Sequence, residues 1–214
     1  MNAPVRISGV TVSYQRLWRR APVLHDVSLQ AEPGTVTAVV GPNGIGKTTL
    51  FRVLLGFLPV AVGQVSVGGL PPEKYRRRHG MAYLPEAVTL PRGWTAKSLL
   101  REGARLSGVE GSAQTEALAE AWERAGLATG DSRRTEVLSK GIRRRLTLAF
   151  ALIGDPRLIL LDEPLSGLDT ESRTRLRRIV EEAREGGGTV IMASHDLGEV
   201  DRMADDVVHL EARR

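Results

Sequence analysis

The chain has 214 residues, 42% of them hydrophobic, and contains no cysteine. That length supports one large or two small domains with a sizeable core, and the missing thiols exclude disulfides, thiolate metal sites and cysteine nucleophiles. The formal charge is +5, but the arginines are dispersed in short groups and only 4% of residues are aromatic, so solvated faces and bound phosphate account for the charge and no nucleic-acid partner is expected.

The first residues, Met1 to Ile7, lack the apolar core of a signal peptide, and no later stretch approaches the ~18 uninterrupted apolar residues of a spanning helix. The expectation is a chain that does not cross a bilayer by itself and works in the cytoplasm. Val5 to Tyr14 and Val62 to Val67 read as strands, the second closed by a Gly68-Gly69 turn, which predicts a small antiparallel sheet. Between them, Thr35 to Val40 is a short β-branched run.

Directly after it comes Gly41-Pro42-Asn43-Gly44-Ile45-Gly46-Lys47-Thr48-Thr49, which matches the phosphate-cradling P-loop at every required position. Its glycines free backbone N–H groups to turn toward phosphate oxygens, Lys47 has the reach and charge for the β- and γ-phosphates, and Thr48 offers a hydroxyl to Mg²⁺. A helical pattern follows from Thr49 to Leu55, so strand, loop and helix stand in the right order, with the positive helix end toward the anion.

From Thr95 to Ala125 the spacing of Leu99, Leu100, Leu106, Ala117, Leu118, Ala121 and Trp122 predicts helix, broken in two by Gly108 to Gly111. A further helix is predicted from about Lys140 to Ile153, with Ser139 as N-cap and Leu146, Ala149, Phe150 and Ile153 as its apolar stripe; Arg143 and Arg144 read as solvated. Leu158 to Leu161 and Thr189 to Ala193 are continuous apolar runs suited to strands buried on both faces of a parallel sheet, and Thr170 to Glu185 between them is an amphipathic helix. The order strand, helix, strand predicts a parallel crossover, and the fold class is α/β.

Asp162 and Glu163 fall where the first of those strands ends, the edge at which ligands gather in open α/β sheets. One carboxylate can help hold the metal and the other can activate water, and Glu163 is the candidate general base. His195 emerges at the same edge. His25, His79 and His209 read as structural.

Leu138-Ser139-Lys140-Gly141-Ile142, shortly before the Asp162-Glu163 strand, resembles the LSGGQ signature of ATP-binding cassette (ABC) proteins. Tyr14 resembles the family's adenine-stacking aromatic, Glu86 in Leu84-Pro85-Glu86 stands where the Q-loop glutamine would be, Ser166-Gly167-Leu168-Asp169 resembles the D-loop, and His195 resembles the switch histidine. Arg145 matches the basic residue after the signature. The likeness spans essentially the whole chain.

The resemblance implies a P-loop NTPase (RecA-like) core over about 1–84 and 155–214, an antiparallel β subdomain, and an inserted helical signature subdomain over about 85–154, all within one ABC ATPase domain, 1–214. It implies an ATPase working with Mg²⁺ held by Thr48, Asp162 and Glu86. It further implies an ATP-dependent homodimer in which Ser139 and Gly141 of one copy meet the nucleotide of the other, and a separate transmembrane permease that keeps the chain at the inner membrane face. Lys140 and Ile142 depart from the signature, and Glu86 replaces an amide by a carboxylate. With the arginines after Gly141 these variants resemble the ABC-2 export group. A cassette ATPase of translation or DNA repair is the competing reading; such proteins usually bring paired cassettes, zinc modules or a long coiled coil, against one P-loop, no cysteine and no heptad run here.

Overall fold

The computed structural model describes residues 3–16 and 19–211, with the side chains of residues 14–22 outside the description. Its elements run β1 (Val5–Arg16), β2 (Arg19–Ala31), β3 (Val36–Val40), α1 (Lys47–Leu54), β4 (Val62–Val67), α2 (Pro72–His79), β5 (Ala82–Leu84), α3 (Ala96–Ser107), α4 (Gly111–Ala125), a 3₁₀ turn (Thr135–Val137), α5 (Lys140–Leu152), β6 (Leu158–Asp162), α6 (Thr170–Glu185), β7 (Thr189–Ser194), α7 (Leu197–Val200) and β8 (Asp206–His209). The α/β class and the predicted helix and strand runs are all present. Arg19–Ala31, Pro72–His79, Ala82–Leu84 and Asp206–His209 form further elements that pattern alone did not mark.

Two sheets organise these elements. One is antiparallel, in the order β2-β1-β4, and the other has five strands in the order β5-β6-β7-β3-β8. Every pairing in the larger sheet is parallel. Parallel strands send their carboxyl ends to one edge, so the loops after β3, β5, β6 and β7 meet there.

β3, β6 and β7 are buried along their whole length, which is why their sequences are nearly continuous apolar runs. Because successive side chains alternate across a strand, Leu158 and Leu160 pack with the antiparallel sheet and with Leu50, Phe51 and Leu54 of α1, while Ile159 and Leu161 face Leu148, Leu176 and Ile179. A third cluster joins α3, α4 and α5 through Leu99, Leu100, Trp122, Leu146 and Ala149. Helix α5 therefore belongs to two cores, with Leu146 and Ala149 in one and Leu148 and Leu152 in the other.

Leu106, expected in the apolar stripe of its helix, is instead exposed, because the helix buries only the face carrying Leu99, Leu100, Gly103 and Ala104. Truncating Leu160→Ala should therefore cost about 2–5 kcal/mol by removing a buried side chain from the centre of the sheet, whereas Leu106→Ala should stay within about 0.5 kcal/mol of the parent. Urea unfolding midpoints at constant m-value would measure both.

Candidate nucleotide site

The P-loop fills the turn between β3 and α1. Gly46 is the N-cap of α1 at φ 118°, outside the range an L side chain tolerates, and a Cβ there would stand 2.7 Å from Leu24 Cδ2 and 3.0 Å from the Val23 carbonyl oxygen. Glycine is the one residue that lets the loop close against β2 while the helix N-terminus faces the cavity. No side chain caps α1, so its first N–H groups are left for an anion.

Lys47 is buried and folds back on its own loop: its ammonium donates to the Gly41 carbonyl at 2.7 Å and to that of Pro42 at 3.4 Å. The same Nζ lies 3.1 Å from Oε1 of Glu163. That contact is an ion pair by distance but lacks hydrogen-bond alignment, and Oε1 has no other hydrogen-bond partner. Thr48, one residue on, donates its hydroxyl to Oδ2 of Asp162 at 2.7 Å across the sheet edge.

Asp162 is 1% exposed. Burial pushes its carboxyl above the ordinary range; the Thr48 hydrogen bond pulls the other way, Glu86 and Glu163 push it further up, and Lys47 opposes them. Glu163 carries a positive φ of 47°, the left-handed region that costs a non-glycine residue on the order of 1–3 kcal/mol and concentrates at functional sites. Its N–H donates to the Ala193 carbonyl at 2.9 Å, and its Oε2 lies 2.9 Å from Nδ1 of His195. Glu163 thus touches Lys47 with one oxygen and His195 with the other.

A cavity of about 310 Å³ opens among these groups, lined by Val23, Asn43, Gly44, Gly46, Lys47, Thr48, Thr49, Glu86, Asp162 and Glu163. A larger one, about 1100 Å³, lies between the antiparallel sheet and the α1–α2 connection and contains none of the P-loop or the two strand-end carboxylates. Size and chemistry disagree, and chemistry decides, because only the smaller cavity combines anion-binding backbone, a cation and carboxylates.

The remaining predicted residues lie around it. Gly41 abuts the strand-end residue Leu210, where a Cβ would come within 3.0 Å of its carbonyl oxygen, and the Ile45 N–H donates to the Pro42 carbonyl. Glu86 is exposed and lines the cavity. Ser139 is exposed and caps α5, accepting from the Ile142 N–H at 3.2 Å, whereas Gly141 is buried, where a Cβ would meet Ser172 Oγ at 2.5 Å. Neither lines the cavity of its own chain. Tyr14 has its backbone paired with Ala21, and its side chain lies outside the described residues.

The reading of Arg144 as solvated is overturned. It is 2% exposed, because Gly141, Arg144, Arg145, Leu148 and Leu152 form one buried face of α5. Spacings of three and four residues around Gly141 and Leu148 are the signal that could have found it. Arg145 is buried too, donating from Nε to the Ala125 carbonyl at 3.1 Å.

A phosphate loop at the carboxyl edge of a parallel sheet, facing a hydroxyl-carboxylate pair and a second carboxylate, defines a P-loop nucleotide hydrolase. The chain belongs to the ABC transporter ATP-binding family: the family model described as "ABC transporter" matches residues 24–166. It is 32% identical to the manganese transport system ATP-binding protein MntA of Synechocystis sp., over 96% of this chain and 80% of that one. It is 38% identical to the zinc import ATP-binding protein ZnuC of Cereibacter sphaeroides over 89% and 74%, and 32% identical to the Nod factor export ATP-binding protein I of Rhizobium etli over 90% and 61%. A solved structure titled as the ATP binding subunit of an ABC transporter superposes with a TM-score of 0.85 at 26% identity, covering 97% and 85% of the two chains. The protein is an ATPase and an ATP-binding subunit of a transporter.

Replacing Gly46→Ala should displace the loop from Leu24 and Val23 and abolish nucleotide binding while leaving the fold intact. Fluorescent ATP-analogue titration beside far-UV circular dichroism would check it; unchanged affinity would contradict the steric account.

Proposed function

We propose that the chain works as an ATP-closed homodimer that drives a separate membrane permease, with Glu163 as the general base. The observation that carries this is the double contact of Glu163, to Lys47 at 3.1 Å and to His195 at 2.9 Å. A carboxylate held between an ammonium and an imidazole is oriented for proton transfer before substrate arrives.

In the proposed reaction the triphosphate displaces the Lys47 ammonium from the Gly41 carbonyl, and the first N–H groups of α1 face its oxygens. A water oxygen then attacks the γ-phosphorus as the bond to the β,γ-bridging oxygen breaks. The proton goes to Glu163, and ADP leaves with the electron pair. His195 holds Glu163 through Nδ1 and orients the water. Thr48 and Asp162 suit Mg²⁺, since a hydroxyl and one carboxylate are the donors that this hard cation takes beside phosphate oxygens, and the buried Asp162 gains a counter-charge. When bound, the ion neutralises phosphate charge. Glu86 at the rim is a further oxygen donor.

Support for a second copy comes from the cavity and the signature. About 310 Å³ is at the low end for a ligand site. Ser139 and Lys140, where α5 begins, are exposed and do not line the cavity of their own P-loop, a placement that suits contact with nucleotide across a two-fold interface. Among the described residues no helix is long and apolar enough to cross a membrane, so the cargo path is assigned to the permease and the chain to the membrane's inner face. We take residues 85–154 as the helical subdomain that meets the permease.

The signature variants favoured export, and the Nod factor relative carries that word in its name. More of the similar relatives are named for import or metal transport, including the hemin import ATP-binding protein HmuV of Rhizobium meliloti at 35% identity. Import is therefore our first reading of direction. Accumulation of cargo in right-side-out vesicles holding ATP would support it, and ATP-driven uptake into inside-out vesicles would reverse it.

The variant Glu163→Gln should bind Mg·ATP, accumulate as a dimer on size exclusion, and hydrolyse at least ~100-fold more slowly. Normal turnover would sink the general-base role.

A further inference from the structure

Among the described residues Arg144 is the bulkiest side chain that is almost completely buried, and the hydrolytic steps above do not use it. A guanidinium carries five N–H donors and stays charged in proteins, so burying one demands several well-placed acceptors. Here they are backbone carbonyls. Nη1 donates to Glu86 at 3.0 Å, and Nη2 donates to Asp162 at 2.9 Å and also to Glu163.

Those three carbonyls belong to the residues that carry the site's carboxylates. Two of them, those of Asp162 and Glu163, lie on either side of the Glu163 Cα, where the backbone is left-handed. The Glu163 N–H is held by Ala193 of β7, and its carbonyl by Arg144 together with the Ser166 N–H at 3.3 Å. Burial lowers the guanidinium's proton affinity, and Glu86, Asp162 and Glu163 raise it again, so the three acids act as its counter-charge. Arg144 sits on α5, five positions after Ser139, about 7.5 Å along the helix at 1.5 Å per residue. That helix also packs in both the sheet core and the helical cluster.

We propose that Arg144 is a positioning residue for hydrolysis: it sets the backbone of Glu163 and ties it to the Glu86 loop, so that displacement of the signature helix moves the general base. The proposal rests on Glu163 acting on the water. A contact through carbonyls transmits movement without taking part in proton transfer, and the guanidinium reaches its three acceptors from two separate nitrogens, a spread that the single nitrogen of an ammonium does not reproduce.

The test uses the purified chain with Arg144→Gln and Arg144→Lys, measuring ATP-analogue affinity, kcat and KM, with Glu163→Gln in parallel. Affinity should stay within about threefold while kcat of Arg144→Gln falls on the order of 100-fold, and Arg144→Lys should recover only part of it. Wild-type kcat in Arg144→Gln beside an inactive Glu163→Gln would overturn this proposal alone, and so would a parallel loss of affinity and kcat. Normal turnover in Glu163→Gln would remove the general-base reading first. Should neither arginine variant fold, guanidinium NMR of the unmodified chain decides: separate Nη–H signals that shift when ATP binds support the tether, and one rotationally averaged signal overturns it.

Discussion

The 2.7 Å hydrogen bond from Thr48 to Asp162 is the contact on which the site depends, because it joins the start of α1, directly after the β3 loop, to the end of β6 across the intervening strand β7. It forms only if all three strands run parallel and in register, so that their carboxyl ends share one edge. Val36 lies opposite Val190 and Leu158 opposite Thr189, which brings Val40, Ser194 and Asp162 to that edge together. Loss of register in any strand would separate the phosphate loop from its carboxylate. Burial on both faces enforces the alignment, since a slip by one residue would exchange the two packed surfaces.

At that edge, opposite charges are gathered within reach of one another. Lys47 and Arg144 face Asp162, Glu163 and the rim residue Glu86. Buried charges of this kind contribute little net stability once desolvation is counted, so their arrangement reflects the reaction more than the fold. The left-handed backbone at Glu163 has the same character. It places a carboxylate between Lys47 and His195 at the expense of local strain, and the sheet behind it absorbs the cost.

The helical elements join this edge through α5. Its two apolar faces insert it between the helical cluster and the sheet, and Arg144 links it to the strand-end carbonyls. Gly141 packs against Ser172 at the start of α6, and the Arg173 Nε–H donates to the Leu168 carbonyl, so the segment after β6 is held by helices on two sides. Helix α5 is thus joined to the strained turn at Glu163 by packing and by polar ties to backbone carbonyls.

Much of this was legible in residue order. The P-loop is a local motif whose glycines, lysine and threonine act within one turn, and the runs at Leu158 to Leu161 and Thr189 to Ala193 announce buried parallel strands because both faces must be apolar. Ser139 as helix cap and the break at Gly108 to Gly111 are local in the same sense. The short strand Ala82–Leu84 and the edge strand Asp206–His209 were not, since neither is long enough for a period to show and both exist through pairing with distant partners. Nor were the acceptors of Arg144, which lie 18, 19 and 58 residues away along the chain. Chemical identity and local geometry are written in neighbouring residues. Which charges are buried, and which carbonyls hold them, follows from strand order and helix packing, because those contacts join segments that are remote in sequence.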